Sequence, residues 1–354
     1  MGKTILITGG AGFVGSSLAF HLKQADPGNR VVALDNLKRR GSELNLARLK
    51  AAGVEFMHGD VRQPRDLEAI QGFDILLECS AEPSVLAGYG GDSRYVVDTN
   101  LVGTVNCLEA AARHGASIIF LSTSRVYPIE TINAACIEGE NGFFIDPGKR
   151  VPGISGNGFG EDLPLKGTRS LYGATKLASE LLITEYAAMH GLRSVINRCG
   201  VIAGPWQMGK TDQGFAVLWI ARHHWGLPLS YTGFGGRGSQ VRDMLHIDDL
   251  CELISLQLRN LDRLGGMTFN VGGGPANSLS LRGYSKLAAD TTGRTITVGS
   301  APDDRPGDLK LYITDNSLIT ATTGWAPKRD LRTLFADTHR WLADHEEELR
   351  PILT

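Results

Sequence analysis

The chain has 354 residues, 42% of them hydrophobic, which at roughly 150 residues per domain fits two domains with sizeable cores. Its 36 basic and 38 acidic residues leave a formal charge of -2, which excludes a general attraction to nucleic acid or to an anionic membrane. The five cysteines, Cys79, Cys107, Cys136, Cys199 and Cys251, are scattered without a Cys-x-x-Cys, which argues against a disulfide framework or a zinc site and fits a reducing compartment.

The start, Met1 to Thr8, runs straight into a strand-like segment and lacks the pattern of a signal peptide. No apolar run approaches the ~20 residues of a membrane span, so the expected location is the cytoplasm. Short apolar runs follow at Thr4–Thr8, Val31–Asp35, Val54–His58, Asp74–Glu78, Ser117–Thr123 and Ser194–Asn197. β-Branched and aliphatic residues dominate them, as in strands buried on both faces. Between them Phe13–Gln24, Ser42–Ala51, Tyr95–His114 and Tyr172–His190 read as helices. This alternation predicts an α/β fold, a doubly wound parallel sheet covered by helices on both faces.

The pattern breaks at about Pro128. Residues 128–168 are rich in Gly and Pro and show little periodicity, which reads as a loop excursion or a substrate lid. Beyond Arg198, helices are expected at Phe215–His224, Ile247–Asn260, Leu279–Ala289 and Leu331–Leu349. The expected division is a cofactor-binding domain over 1–197 and a smaller substrate-binding domain over 198–354. The segment 242–270 is a candidate to return to the first domain.

Gly9-Gly10-Ala11-Gly12-Phe13-Val14-Gly15 follows the first strand and opens the first helix. Glycines at Gly9, Gly12 and Gly15 permit a tight turn and let a pyrophosphate approach the backbone, where the helix N-terminus presents N–H groups and partial positive charge. Such a pattern is weak alone; the strand before it and the helix after it give it weight. Asp35 ends the second strand, 20 residues past Gly15. A carboxylate there accepts from ribose hydroxyls and repels a 2′-phosphate, favouring NAD over NADP, although Lys38, Arg39 and Arg40 pull the other way.

Tyr172-Gly173-Ala174-Thr175-Lys176 gives Tyr-x-x-x-Lys at the start of a helix. The i, i+4 pair shares a face, and an ammonium beside a phenol favours the phenolate. Such a tyrosine can take a hydroxyl proton while hydride leaves the same carbon. A hydroxyl donor is expected at the end of the fifth strand, where Ser122, Thr123 and Ser124 stand before Arg125-Val126-Tyr127.

With the glycine loop, Asp35-Asn36-Leu37, Gly59-Asp60-Val61, Asn100, the Ser-Thr strand end and Tyr-x-x-x-Lys in place, the whole chain resembles the extended short-chain dehydrogenase/reductases and their nucleotide-sugar epimerases. The resemblance implies a Rossmann-type first domain and a C-terminal nucleotide-sugar-binding domain. It singles out Thr123, four residues before Tyr127, as the catalytic hydroxyl. It implies NAD contacts from the loop residues including Phe13 and Val14, and from Asp35, Asn36, Arg39, Asp60, Val61, Ser80, Ala81, Asn100, Tyr172 and Lys176.

Thr211-Asp212-Gln213-Gly214-Phe215, Gln240 to His246 and Asn277 to Leu281 resemble the CDP-paratose 2-epimerase (CDP-tyvelose epimerase) branch. By that resemblance Arg242 and Arg305 hold the nucleotide diphosphate, a task suited to arginine's planar fork, and Arg125 and Gln207 also face substrate. The implied reaction is metal-free: transient oxidation of the sugar at C2, then re-reduction on the other face. The family's Asp-Glu pair for water elimination is replaced by Ser124-Arg125, which counts against a 4,6-dehydratase; a sugar-acid decarboxylase would often carry Glu at position 125. The main rival is a UDP-sugar 4-epimerase, and a more remote one is a non-catalytic NAD(P)-sensing protein. Val201, Cys79-Ser80-Ala81 and Glu82-Pro83-Ser84 depart from the family pattern around the sugar pocket. His223-His224 reads as packing rather than a metal site. The helices Tyr95–His114 and Tyr172–His190 look apolar on more than one face and predict a homodimer or homotetramer.

Overall fold

The computed structural model describes residues 2–89, 91–209 and 214–354. The first strands, β1 (Thr4–Thr8), β2 (Arg30–Asp35), β3 (Glu55–His58), β4 (Ile75–Glu78) and β5 (Ser117–Thr123), alternate with α1 (Phe13–Ala25), α2 (Asn45–Ala51), α3 (Pro64–Glu68), α4 (Ser93–Val97) and α5 (Gly103–His114). A π-helical turn at Asp98–Val102 joins α4 to α5. Next come α6 (Ile129–Ala134) and the short strands β6 (Cys136–Gly139), β7 (Gly142–Ile145), β8 (Ile154–Ser155) and β9 (Gly158–Phe159). The long helix α7 (Leu171–His190) leads to β10 (Ser194–Cys199), β11 (Val201–Ala203), α8 (Phe215–Trp225), β12 (Leu229–Thr232), β13 (Val241–His246), α9 (Ile247–Arg259), α10 (Leu261–Leu264) and β14 (Met267–Val271). The chain closes with β15 (Ser278–Ser280), α11 (Leu281–Thr292), β16 (Val298–Ala301), β17 (Leu311–Tyr312), α12 (Ser317–Thr323), α13 (Leu331–Asp344) and α14 (Glu346–Leu353).

Two compact units result: 1–123, 171–198 and 250–269 form the first, and 124–170, 199–249 and 270–354 the second. The excursion 128–168 therefore lies within the second unit, and of the segment 242–270, residues 250–269 lie in the first.

The first unit is built on a seven-stranded sheet of order β14-β10-β5-β4-β1-β2-β3, with parallel pairing of β1 to β2 and β4, of β2 to β3 and of β4 to β5. The strand order reverses at β1, so the crevice between the carboxyl ends of β1 and β4 is where a Rossmann-type sheet takes its ligand. Leu6, Leu34, Leu76, Ile118 and Phe120 bury one sheet face against Cys107, Leu108 and Ala111 of α5 and Ile183 of α7. Both faces need cover, which explains the near-continuous apolar runs.

In the second unit β13 pairs with β11, β15 and β17, and β12 pairs with β16. Phe215 of α8 meets Tyr284 of α11 edge to face at 5.7 Å, and Tyr284 stacks on Phe335 of α13 at 5.9 Å. Residues 128–168, expected to be largely irregular, instead hold α6 and two hairpins. Their strands have two to four residues, too short for a period-2 signal to stand out. The β8–β9 hairpin is anchored by Asn270, whose amide donates to Phe159 O at 3.0 Å and accepts from Tyr127 Oη at 2.8 Å. Among the described residues no helix is long and apolar enough to cross a membrane, and all five cysteines are free thiols.

Candidate active site

The loop after β1 takes its shape from glycine. Gly9 has φ 64°, and a side chain there would meet the Cys79 and Ser80 backbone at 3.0 Å. A Cβ on Gly15 would stand 2.2 Å from Gly9 O. Gly12, the residue capping α1, is different: a Cβ there meets only Gly9 O, at 3.2 Å, and otherwise faces open space. The first turn of α1, including Phe13 and Val14, has no acidic side chain, and its cap has no side chain to take the free N–H groups. An anionic group is therefore favoured at this helix end.

Asp35 closes the same loop from β2. Its carboxylate accepts from Ala11 N at 3.1 Å and from Leu37 N at 2.8 Å, and Leu37 takes φ 54° to make that contact. Burial pushes the Asp35 carboxyl up, against the pull of the Leu37, Ala11 and Gly12 N–H groups. Asn36 donates to Asp60 at 3.0 Å. Burial would raise the Asp60 carboxyl, but Arg62, at 2.6 Å, and Asn36 outweigh it and hold it at about 2. Lys38 lies 3.4 Å from the centre of the Tyr95 ring, with Arg62 on the same ring at 4.8 Å. Arg39 is half-buried and begins the turn closed by Ser42 N, and Val61 is buried against Gly103. This wall of the first unit thus carries the loop, Asp35, Asn36, Asp60 and Val61 together. The glycine cradle and the anion-favouring helix end fit a dinucleotide.

Thr123 is the last residue of β5 and is buried, and Tyr172 is the second residue of α7 and is half-buried. Lys176, one turn along α7, is buried, with Nζ 3.6 Å from Glu78 Oε2 and 4.0 Å from the centre of the Phe120 ring. Glu78 is the residue that sequence reasoning missed. It ends β4, and its other carboxylate oxygen accepts from Ser80 Oγ. The available signal was a glutamate closing a strand buried throughout, since a carboxylate there requires partners. Ala81 follows Ser80, half-buried. Asn100 is fully buried: its amide accepts from Glu82 N at 2.7 Å and donates to Glu82 O at 3.1 Å and Thr175 Oγ1 at 3.2 Å. It ties the loop after β4 to α7. Below Thr123, Ser122 donates to Glu180, which also takes Arg198 at 2.8 Å in a buried ion pair.

The second unit gathers three of the four residues expected to face substrate. Arg125 donates to Gly307 O at 2.8 Å, Arg242 is paired with Asp308 at 2.9 Å and donates to Leu309 O at 2.7 Å, and Arg305 belongs to the same 305–309 turn. Gln207 stands apart from that turn, donating to Ile202 O at 2.9 Å. Thr211, Asp212 and Gln213, read as part of a branch motif, lie outside the described residues. His223 Nδ1 donates to Trp219 O at 2.7 Å, and no group of three metal-ligating side chains occurs among the described residues.

A doubly wound sheet with a glycine-lined helix end, a carboxylate closing β2 and a Tyr-x-x-x-Lys helix defines a nicotinamide dinucleotide enzyme. Residues 5–272 match the NAD dependent epimerase/dehydratase family, and the chain belongs to it. It is 32% identical over 335 residues to the CDP-paratose 2-epimerase of Salmonella typhi, covering 92% of this chain and 94% of that protein. It is 29% identical to the UDP-glucose 4-epimerase of Neisseria meningitidis serogroup A, covering 97% and 98%. Among solved structures it resembles the dTDP-glucose 4,6-dehydratase DesIV of Streptomyces venezuelae, solved with NAD and TYD bound, with TM-score 0.78, 28% identity and 99% of each chain covered. The protein is an enzyme of this family and NAD is its cofactor.

Proposed function

We propose that the protein epimerises a nucleotide-diphosphate sugar, with inversion at C2 of a CDP-sugar as the leading reaction. The observation that carries this reading is Thr123, Tyr172 and Lys176 within one unit at the carboxyl end of its sheet, in a chain 32% identical to a CDP-paratose 2-epimerase. In this reading Tyr172 takes the proton of a sugar hydroxyl and later returns it, and Thr123 donates to the same oxygen and stabilises its developing charge. Lys176 favours the phenolate by its charge. Bound NAD supplies a reversible two-electron acceptor for the carbon. Arg242 and Arg305, together at the 305–309 turn, are proposed to receive the diphosphate, with Arg125 and Gln207 as further substrate contacts.

Ser124 and Arg125 favour epimerisation over dehydration, because no carboxyl group follows Thr123 to eliminate water and Arg125 is engaged with Gly307 O. The second reading, a UDP-sugar 4-epimerase, is favoured by the 29% identity to such an enzyme. Incubating the purified protein, without added NAD, with CDP-, UDP-, GDP- and dTDP-sugars and following inversion by NMR separates them. Inversion at C2 supports the first reading and inversion at C4 the second; no turnover of any of them would sink both.

We also propose a cytoplasmic homo-oligomer built on α5 and α7. Leu181 and Met189 of α7 are 64% and 70% exposed, an apolar surface that a partner copy would cover. Sedimentation as a monomer at micromolar concentration would count against it.

A further inference from the structure

We propose that Glu78 is a positioning residue for Lys176: its carboxylate holds the ammonium on the sheet side and offsets its charge, and so sets the pH at which Tyr172 becomes a base. The inference rests on the reading of Tyr172 as that base. Thr8, Glu78 and Phe120 are register partners across β1, β4 and β5, so they form one row on one face of the sheet. Lys176 descends onto this row from α7. Its ammonium is 3.6 Å from Glu78 Oε2, and the two side chains are each 2% exposed. Glu78 Oε1 is fixed by the Ser80 hydroxyl, while Oε2 has no hydrogen-bond partner, leaving the ammonium as its neighbour.

The other titratable groups on this face do not compete for Lys176. Burial, reinforced by the Glu78 charge, pushes the Cys107 thiol of α5 well up, so it stays neutral. Glu180, one turn beyond Lys176 on α7, is taken by Arg198 of β10 and Ser122 of β5. Of the π-helical turn and α4, also packed on α7, Asp98 is paired with Arg94, and Tyr95 lies under Lys38 and Arg62. The field that Lys176 exerts on Tyr172, one turn away, is therefore that of a charge offset by the Glu78 carboxylate 3.6 Å from it. A buried carboxylate also needs a partner of opposite sign, which binds the fate of Glu78 to that of Lys176.

The test is a titration of the tyrosinate absorbance of the purified holoprotein, with the Tyr172→Phe protein in the same background subtracted so that only Tyr172 is read. In Glu78→Gln, which keeps the shape and an acceptor for Ser80, the Tyr172 titration is expected to move down by about one pH unit, roughly a tenfold gain in phenolate at neutral pH. Glu78→Asp keeps the charge one methylene further off and is expected to move it down by a smaller step. A Glu78→Gln titration that stays in place or moves up overturns the proposal, as does an equal shift in both variants, which would assign the effect to packing. If Glu78→Gln does not fold, Glu78→Asp alone decides: no downward shift overturns the proposal. The base assignment fails separately, by retained turnover of nucleotide sugars in Tyr172→Phe, and the titration needs no substrate.

Discussion

Gly12→Ala separates what the loop after β1 does for the fold from what it does for the cofactor. Gly12 has φ -69° and ψ 173°, values open to alanine, and the added methyl meets only Gly9 O, at 3.2 Å. Alanine is a poorer helix cap than glycine and that oxygen must give slightly, so the NAD-free protein should lose no more than about 1 kcal/mol. The methyl, however, would fill the space through which a pyrophosphate approaches the helix end. Loss of that approach should weaken NAD at least about tenfold, or about 1.4 kcal/mol. Gly15→Ala is the contrast. Its methyl would lie 2.2 Å from Gly9 O and 2.8 Å from Gly9 C, so the loop itself must move, and overpacking of this kind costs about 1–3 kcal/mol of stability. The assay is calorimetric titration of NAD into stripped protein, paired with urea unfolding of the same samples. Gly12→Ala protein that unfolds as the wild type does and binds NAD with wild-type affinity would refute the assignment of this cradle.

Tyr172→Phe should lower turnover by about 10²–10⁴-fold while calorimetry finds NAD binding retained. Asp35 must be ionised to accept from ribose hydroxyls, and burial has raised its carboxyl; NAD affinity should therefore fall on acidification at a higher pH than an ordinary carboxylate near 3.8 would give, as titrations across that range would register. Asp60 works in the opposite sense. Its folded value of about 2 lies below the ordinary 3.8, so its contribution to stability is complete above 3.8 and is lost as pH falls towards 2, a loss that Asp60→Asn should abolish in acid unfolding curves. Arg198→Leu leaves Glu180 buried without its ion-pair partner and should cost about 3–5 kcal/mol in urea unfolding. Arg30→Ala breaks the pair with Glu55, whose side chains are 42% and 53% exposed, and should cost under about 1 kcal/mol.

Strands β1, β2, β4 and β5 and helices α1, α5 and α7 were legible because their signals are local: apolar runs long enough to be buried on both faces, and a glycine loop at a strand–helix junction. Helix ends were less so. The helix expected from Leu279 begins at Leu281, because Ser278–Ser280 pair with Val241–Asp243 and Ser280 caps the helix. The helix expected over Leu331–Leu349 divides at His345, whose φ -126° and ψ 27° separate α13 from α14. The hairpins within 128–168 escaped because their strands have only two to four residues, and the β8–β9 hairpin is anchored by a residue distant in sequence, Asn270, at Phe159 O. The same holds in the site. Tyr172, Lys176, Asp35 and the glycines follow from spacing, whereas the partners Glu78 for Lys176 and Asp308 for Arg242 depend on the fold that brings residues nearly 100 and 66 positions apart together.

The most direct test of epimerisation by transient oxidation uses CDP-paratose carrying deuterium at C2, incubated with the protein in ordinary water and followed by NMR. The account predicts a product inverted at C2 that keeps its deuterium, because the hydrogen leaves to the cofactor and returns from it. Inversion with the deuterium washed out into water, or an uninverted sugar that has lost water, would contradict it.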